Sequence, residues 1–498
     1  MKETIKNHVR AGYPGIYLIS AEEARVESEL KAVAGDLKHG LHIWSITTGL
    51  VDVAQKGVRD CHDAVEVLQA IGELPENTMI LLRDWHVFWD DPNPVAVRMF
   101  KEELRSAKTR GKTIIALACR QRIPPELERE IVVMDFSLPT AEELETVLDG
   151  IAASAKLPKL KKEEKFTFLD AAKGMTTTEA ENAFALSVVE TGELDAAVVA
   201  RQKAETLKKN GLLEVIETAE SLDSVGGLDA LKDWLRKRKE AFSRHAVEYG
   251  LPSPKGLLIL GIPGTGKSLT AKATAAAFGL PLLKLDAGRL YGGLVGQSEG
   301  NVRSVIQTAE AMAPCVLWID EIEKGFNGSK SSGATDGGTS SRVFGSFLSW
   351  MQDKKAPVFI VATANDVSQL PPEMLRKGRF DELFFVDLPN QEERQAIWGI
   401  QIAKHGRNPS DFDLGHLAKA TEGFTGAEIE QAFVDALFAA FAENKEPGDL
   451  SISEILTEAV PLSRLMAEQI NELRKWSKGR ARPATNPEKE TLLRRIAA

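Results

Sequence analysis

Cysteine is nearly absent: 498 residues hold three, Cys61, Cys119 and Cys315. They are widely spaced, odd in number and free of any CxxC pair or Cys/His cluster, which argues against a disulfide framework or a zinc site. They read instead as apolar thiols of a reducing compartment. Long apolar runs are missing too. The N-terminal run Ile16–Ile19 is too short for a signal-peptide core, and no stretch approaches the ~18 residues needed to cross a bilayer. Excess positive charge is also lacking. A formal net charge of −10 argues against a chain whose main task is to coat nucleic acid, while leaving room for a local basic patch. What remains is an ordinary globular chain, 43% hydrophobic and 27% charged, long enough for about three domains. It is expected in the cytoplasm, with no membrane partner.

What the chain does have is alternation. Apolar strands GLLILGI (256–262), PLLKLD (281–286), CVLWID (315–320) and VFIVATA (358–364) alternate with helical patterns at Ser268–Phe278 and Glu299–Met312. This predicts an α/β fold, a parallel sheet with helices on both faces. Beyond Pro389 only helical patterns follow, at Gln391–Lys404, Leu414–Thr421 and Ala427–Glu443, so a small helical lid is expected. The expected layout is an α/β block over 1–200, a polar linker helix over 201–221, a large α/β domain over 222–390, the lid over 391–470 and a basic tail over 471–498. Inside the large domain, NGSKSSGATDGGTSS (327–341) is too rich in Gly and Ser to build core and is expected as a mobile loop.

The two blocks repeat each other. Ile123-Pro124-Pro125-Glu126-Leu127 and Leu370-Pro371-Pro372-Glu373-Met374 each follow an apolar strand, TIIALAC (113–119) and VFIVATA. Each precedes a further strand and then an acidic helix start, LPTAEEL (138–144) and LPNQEER (388–394). Further on, GMTTTEAENAF (174–184) matches GFTGAEIEQAF (423–433). Shared order and spacing read as a diverged duplication.

Gly261-Ile262-Pro263-Gly264-Thr265-Gly266-Lys267-Ser268 fits GxxxxGK[ST] between a strand and a helix, the context this phosphate-binding loop requires. Glycines let backbone N–H groups turn inward around phosphates, and the helix N-terminus adds its dipole. Lys267 brings a point charge to the β- and γ-phosphates and Ser268 a hydroxyl for Mg²⁺; Leu269 completes the run expected around the nucleotide. Asp320 ends its strand where α/β sheets bind ligands and is expected to hold Mg²⁺ through water. Glu321 is placed to activate the attacking water. Asn365 ends the next strand, where a neutral amide can orient that water. Arg376 and Arg379 offer charge to the γ-phosphate in the transition state, worth about 10³–10⁵ in rate. Arg342 is a weaker candidate. ATP with Mg²⁺ is the expected ligand pair.

Together these residues resemble the AAA clade of AAA+ ATPases over about residues 222–460. The resemblance adds Asp223-Ser224-Val225-Gly226-Gly227-Leu228, whose Gly226 it sets against adenine. It also adds GFTGAEI (423–429), whose Gly426 and Ala427 it sets close to the nucleotide. It implies that Arg376 and Arg379 act across a subunit interface in a homo-oligomeric ring, usually a hexamer. Such a ring remodels or moves a bound macromolecule, protein before nucleic acid. The whole chain is more similar still to a subgroup of uncharacterised AAA proteins first named as hypothetical chloroplast open reading frames. GTSSRVFGSFLSWM (338–351), the stretch 358–394 and VPLSRLMAEQI (460–470) carry that similarity. A plastid-encoded member would work in the stroma.

The similarity fails in two places. Leu294 stands where the family's pore carries an aromatic, which weakens grip on a threaded polypeptide. The N-terminal copy has Ser20-Ala21-Glu22-Glu23-Ala24-Arg25 in place of the glycine loop. Read from the letters, Asp84-Trp85 answers to Asp320-Glu321 and Arg120 to Asn365, so residues 1–200 are expected to bind no ATP. Two other functions stay open. One is a nucleotide-controlled assembly factor that recruits a partner through the N-terminal block. The other is a nucleic-acid-dependent ATPase using the basic tail Arg474–Arg482, which the acidic net charge disfavours. Trp85, His86, Phe88 and Trp89 read as core before docking patch.

Overall fold

A computed structural model describes residues 1–55, 57–158, 160–217, 220–290, 297–326, 337–376 and 378–486. Two compact units, Met1–Lys203 and Ala204–Ala498, each carry a seven-stranded sheet. The first unit holds β1 (Gly15–Ile19), β2 (Gly40–Ser45), β3 (Gly49–Asp52), β4 (Val58–Arg59), β5 (Thr78–Leu82), β6 (Thr113–Ala118) and β7 (Ile131–Asp135), in the order β4-β3-β2-β5-β6-β1-β7. The second holds β8 (Leu213–Ile216), β9 (Gly256–Gly261), β10 (Leu282–Asp286), β11 (Cys315–Asp320), β12 (Val358–Ala364), β13 (Glu382–Val386) and β14 (Arg482–Pro483), in the order β14-β13-β9-β12-β11-β10-β8. The expected parallel α/β architecture is present in both. Among the described residues β3 runs against both of its neighbours, β2 and β4, and β8 runs against β10; every other strand pairing is parallel.

Alternate residues of the central strands enter opposite core faces. Cys315, Leu317 and Ile319 of β11 pack with Leu258, Leu260 and Val305. Val316 and Trp318 pack with Leu257, Ile259, Phe359 and Ala271. Burial on both faces is why these strands read as unbroken apolar runs. The first sheet does the same, with Tyr17 on one face and Ile16 and Leu18 on the other. Trp85 and Trp89 sit in that core, as their apolar context suggested.

Helices complete each unit. Ala141–Ser154 and Thr177–Thr191 follow the first sheet; Gln391–Lys404 and Gly426–Ala442 follow the second. All four begin with reciprocal capping boxes: Thr140 with Glu143, Thr176 with Glu179, Asn390 with Glu393 and Thr425 with Glu428. Each box satisfies two orphan backbone donors. The repeat seen in the letters is therefore a repeat of helix starts as well as of strand order.

Register corrects the letter-by-letter alignment of the two copies. Ile19 pairs with Ala118, the last residue of β6, and Leu260 pairs with Ala364, the last of β12. Leu82 pairs with Ala116 and Ile319 with Ala362. Hence Arg83 answers to Asp320, Asp84 to Glu321 and Cys119 to Asn365, each one residue earlier than the sequence suggested. Asp84 and Glu321 confirm it with the same left-handed backbone, φ 51° and 49°. Such a conformation is uncommon outside glycine and belongs to the position in the fold.

Other expectations also change. The helix into the second unit ends at Asn210, and Leu213–Ile216 of the expected linker is the edge strand β8, paired with β10. Within the described residues the basic tail is built into the fold: helix Ala467–Ser477 packs Trp476 against the sheet core, and β14 joins β13. Helix Gly337–Asp353 starts inside the expected loop, while residues 327–336 lie outside the described residues. Leu294 and the side chain of Arg342 lie outside them too. Among the described residues no helix is long and apolar enough to cross a membrane.

Candidate functional site

Strands β9, β11 and β12 end side by side, where open α/β sheets bind ligands. After β9 the chain turns through Gly264 and Gly266, both left-handed at φ 79° and 88°. A Cβ on Gly264 would come within 2.9 Å of Thr425 Oγ1, so glycine is required there twice over. The turn delivers Lys267 to the head of helix Lys267–Phe278, only 7% exposed. Its Nζ donates to the carbonyls of Gly261 and Ile262 at 2.8 and 2.7 Å. Burial pushes its pKa down to about 8, against the pull of Glu323, Asp320 and Glu321.

Three acids face this ammonium. Asp320 Oδ1 accepts from Thr363 Oγ1 at 2.7 Å and from Ser268 Oγ at 3.3 Å. Lys284 Nζ lies 3.9 Å from Oδ2 and 4.6 Å above the Trp318 ring. Glu321 donates its N–H to Thr363 Oγ1 at 3.1 Å, and its Oε1 accepts from Asn365 Nδ2 at 3.0 Å. Lys324 pairs with its other oxygen. Glu323 is buried, and burial holds its carboxyl above the usual range.

The helical lid touches the glycine turn directly. Ala427 donates its N–H to Gly264 O at 3.0 Å, and a Cβ on Gly426 would sit in ordinary contact with that carbonyl at 3.5 Å and with Ile397 Cδ1 at 3.8 Å. Gly226 also abuts Ile397, whose Cγ1 would lie 2.4 Å from an added Cβ. Glu393 holds Leu228 N–H at 3.0 Å. Thus Gly226 and Gly426 flank Ile397 of the lid, while Thr425 and Ala427 lie against Gly264.

The remaining predicted residues fall differently. Pro263 and Thr265 line the turn, with Thr265 Oγ1 bonded to Ile262 O at 2.7 Å. The Leu269 side chain packs into the apolar core under the sheet. Arg376 is exposed, and Arg379 donates to Glu373 O. Among the described residues neither guanidinium hydrogen-bonds to the Lys267–Asp320–Glu321 group. Sequence reasoning missed Lys284, Thr363, Glu323 and Ile397. Thr363 and Lys284 lie inside quoted strands and Glu323 two residues beyond Glu321, so these could have been weighed; Ile397 has only the pattern of an ordinary lid helix.

The residues present fit Mg-ATP. Among the described residues the desolvated Lys267 ammonium is hydrogen-bonded to two neutral carbonyls and makes no ion pair within contact distance. Ser268 Oγ and Asp320 Oδ1, 3.3 Å apart, are hard oxygen donors. Among the described residues no group of three or more His, Cys, Asp or Glu could hold a metal alone. A magnesium ion here would complete its shell with water and phosphate oxygens, as Mg²⁺ commonly does.

The first unit closes the corresponding place. Three residues, Ser20–Glu22, join Ile19 to its helix at Glu23, where six, Gly261–Gly266, join Leu260 to Lys267. Glu22 Oε1 accepts from Thr177 N–H and Oγ1 at 2.6 and 2.7 Å, and Arg25 pairs with its Oε2 at 2.9 Å. Thr177 follows its helix cap as Gly426 follows Thr425. A carboxylate of the chain itself thus occupies the helix N-terminus that faces the glycine turn in the second unit.

A strand, a glycine turn and a helix under a helical lid define the class, a P-loop nucleotide-binding domain. Residues 257–388 match the family described as ATPase family associated with various cellular activities (AAA), and residues 411–455 match the AAA+ lid domain. Residues 1–136 and 142–210 match the N-terminal and second domains of SpoVK-like AAA ATPases. The uncharacterised AAA domain-containing protein ycf46 of Guillardia theta is 38% identical over 485 residues, 96% of this chain and 95% of that one. The protein of the same name from Pyropia yezoensis is 37% identical over 485 residues, 96% and 98% of the two chains. That of Trieres chinensis is 38% identical over 489 residues, 96% and 97%. The chain belongs to the AAA family of ATPases, with SpoVK-like N-terminal domains.

Proposed function

We propose that the chain hydrolyses Mg-ATP in a homo-oligomeric ring, hexameric by resemblance, and uses the cycle to remodel or move a bound protein. The observation that carries this reading is the buried Lys267 ammonium beneath the glycine turn, opposite Asp320, Glu321 and Glu323. Backbone amides from Gly264 to Leu269, in the turn that Pro263 opens, and the Lys267 ammonium bind the phosphates. Ser268 and Asp320 hold Mg²⁺, which when bound neutralises charge building on the phosphates. Glu321 takes a proton from the attacking water, and Asn365 fixes the carboxylate that does so. Arg376 and Arg379, outside this cluster within one chain, serve the neighbouring subunit's site. Gly226, Gly426 and Ala427 flank the base and couple its presence to the lid. The cytoplasm, or the stroma for a plastid-encoded copy, is the proposed setting.

Glu321→Gln is expected to bind Mg-ATP and lower turnover by about 10²–10⁴, the range of general-base catalysis. Turnover equal to wild type under saturating Mg-ATP would remove the assignment. Mixing Arg379→Ala with Lys267→Ala should recover part of the activity, because each supplies what the other lacks; titration of one variant into the other measures it.

A second reading keeps ATP as a switch for assembly, with the N-terminal unit recruiting a partner and no processive work. The Glu22 closure of the first unit favours a recognition role for that unit. ATPase stimulation by an unfolded protein supports the first reading, and stimulation by one folded partner the second. Stimulation by DNA would instead support the tail-based nucleic-acid alternative.

A further inference from the structure

We propose that Glu323 is a positioning residue for hydrolysis, which sets the Asn365 amide and, through it, Glu321; this rests on the ATPase reading above. Glu323 is 5% exposed, in the turn after β11. Its Oε1 accepts the backbone N–H of Asn365, at the end of β12, at 2.9 Å. The Asn365 side chain then donates to Glu321 Oε1 at 3.0 Å. The backbone of Glu321 returns to β12 through Thr363 Oγ1. Two strand ends are thereby tied into one closed circuit around the acid that faces the water.

Burying a carboxyl is costly, and one backbone N–H could be satisfied by a water or a hydroxyl. Glu323 nevertheless keeps its second oxygen buried without a hydrogen-bond partner among the described residues. Lys267 also feels Glu323 before either neighbouring acid. The first unit offers an internal comparison. Its equivalents are His86, also buried, and Cys119, with Nε2 and Sγ 3.6 Å apart. The bridge between strand ends persists there as geometry, while the carboxyl and amide are gone together with the glycine loop. The carboxyl–amide chemistry goes with the nucleotide turn.

Loss of the bridge frees the Asn365 backbone, and a displacement near 1 Å at a reacting group costs about 10²-fold. The test is a cycle of Glu323→Met, Glu323→Gln, Asn365→Ala and Glu323→Met/Asn365→Ala, read as kcat, affinity for a fluorescent ATP analogue and melting temperature. Glu323→Met is expected to lose about 10² in kcat while binding nucleotide within about threefold of wild type. Glu323→Gln keeps an acceptor and should retain turnover within about threefold. The double variant should be no slower than Asn365→Ala, because the two act as a unit. Wild-type turnover in Glu323→Met, or losses that multiply in the double variant, overturns the proposal. So does a loss of binding that accounts for the loss of rate. Should Glu323→Met fail to fold, Glu323→Gln decides: slow turnover at a normal melting temperature overturns the proposal. An inactive wild type would instead remove the ATPase reading on which it stands.

Discussion

Lys267 shows how a single residue can report on the site. In the proposed site its ammonium is the form that would bind phosphate, and burial has brought its pKa down to about 8. Below that pH the nucleotide-free protein is charged and ready. Above it the neutral amine dominates, and binding a triphosphate must first restore a proton. Affinity for Mg-ATP is therefore expected to weaken about tenfold between pH 7 and pH 9, following the fraction of competent protein. Calorimetry at pH 8.5 in buffers of different ionisation enthalpy should register proton uptake; a flat affinity across this range would contradict the assignment. The glycines, Lys267, Ser268, Asp320 and Glu321 were legible because their spacing is local to one turn or one strand end. Lys284 and Ile397 were not, since they reach the site from another strand and from the lid.

At the scale of elements, the join between β13 and the lid is held from the C-terminal side. Arg474 makes three hydrogen bonds, at 3.0, 2.8 and 2.8 Å, to Asp387, the first residue after β13. Both side chains are near 40% exposed, so solvent screening limits the pair. Arg474→Ala is expected to cost about 1 kcal/mol. For a unit of this size that is a fall of about 2–4 °C in Tm, which differential scanning calorimetry can resolve. The sequence announced the long, doubly buried strands but not these edge pieces. The four residues Leu213–Ile216 are too few to display a period beside a Lys-rich helix. The two-residue strand Arg482–Pro483 has no period at all. Capping residues were more transparent, because a Thr or Asn three positions before a Glu already states its hydrogen bonds.

For the whole molecule, duplication of architecture without duplication of chemistry predicts one nucleotide per chain. Isothermal titration of Mg-ATP should saturate at that stoichiometry, and Lys267→Ala should abolish all binding rather than half of it. Residual uptake in that variant would place a second site in the first unit. The duplication was visible in the letters through Pro-Pro-Glu and the helix starts, but its alignment at the strand ends was one residue out. Strand register and a left-handed backbone decide that alignment, and neither leaves a mark in composition. The turn between Ile19 and Glu23 carries a further consequence. Because it is three residues shorter than its counterpart, replacing its acids with glycine and lysine would still leave too little backbone to encircle a phosphate. Mutation by single codons cannot revive hydrolysis there; an in-frame insertion would be needed. The apex of the first sheet is therefore free to drift toward new surfaces with little chance of acquiring a second nucleotide site.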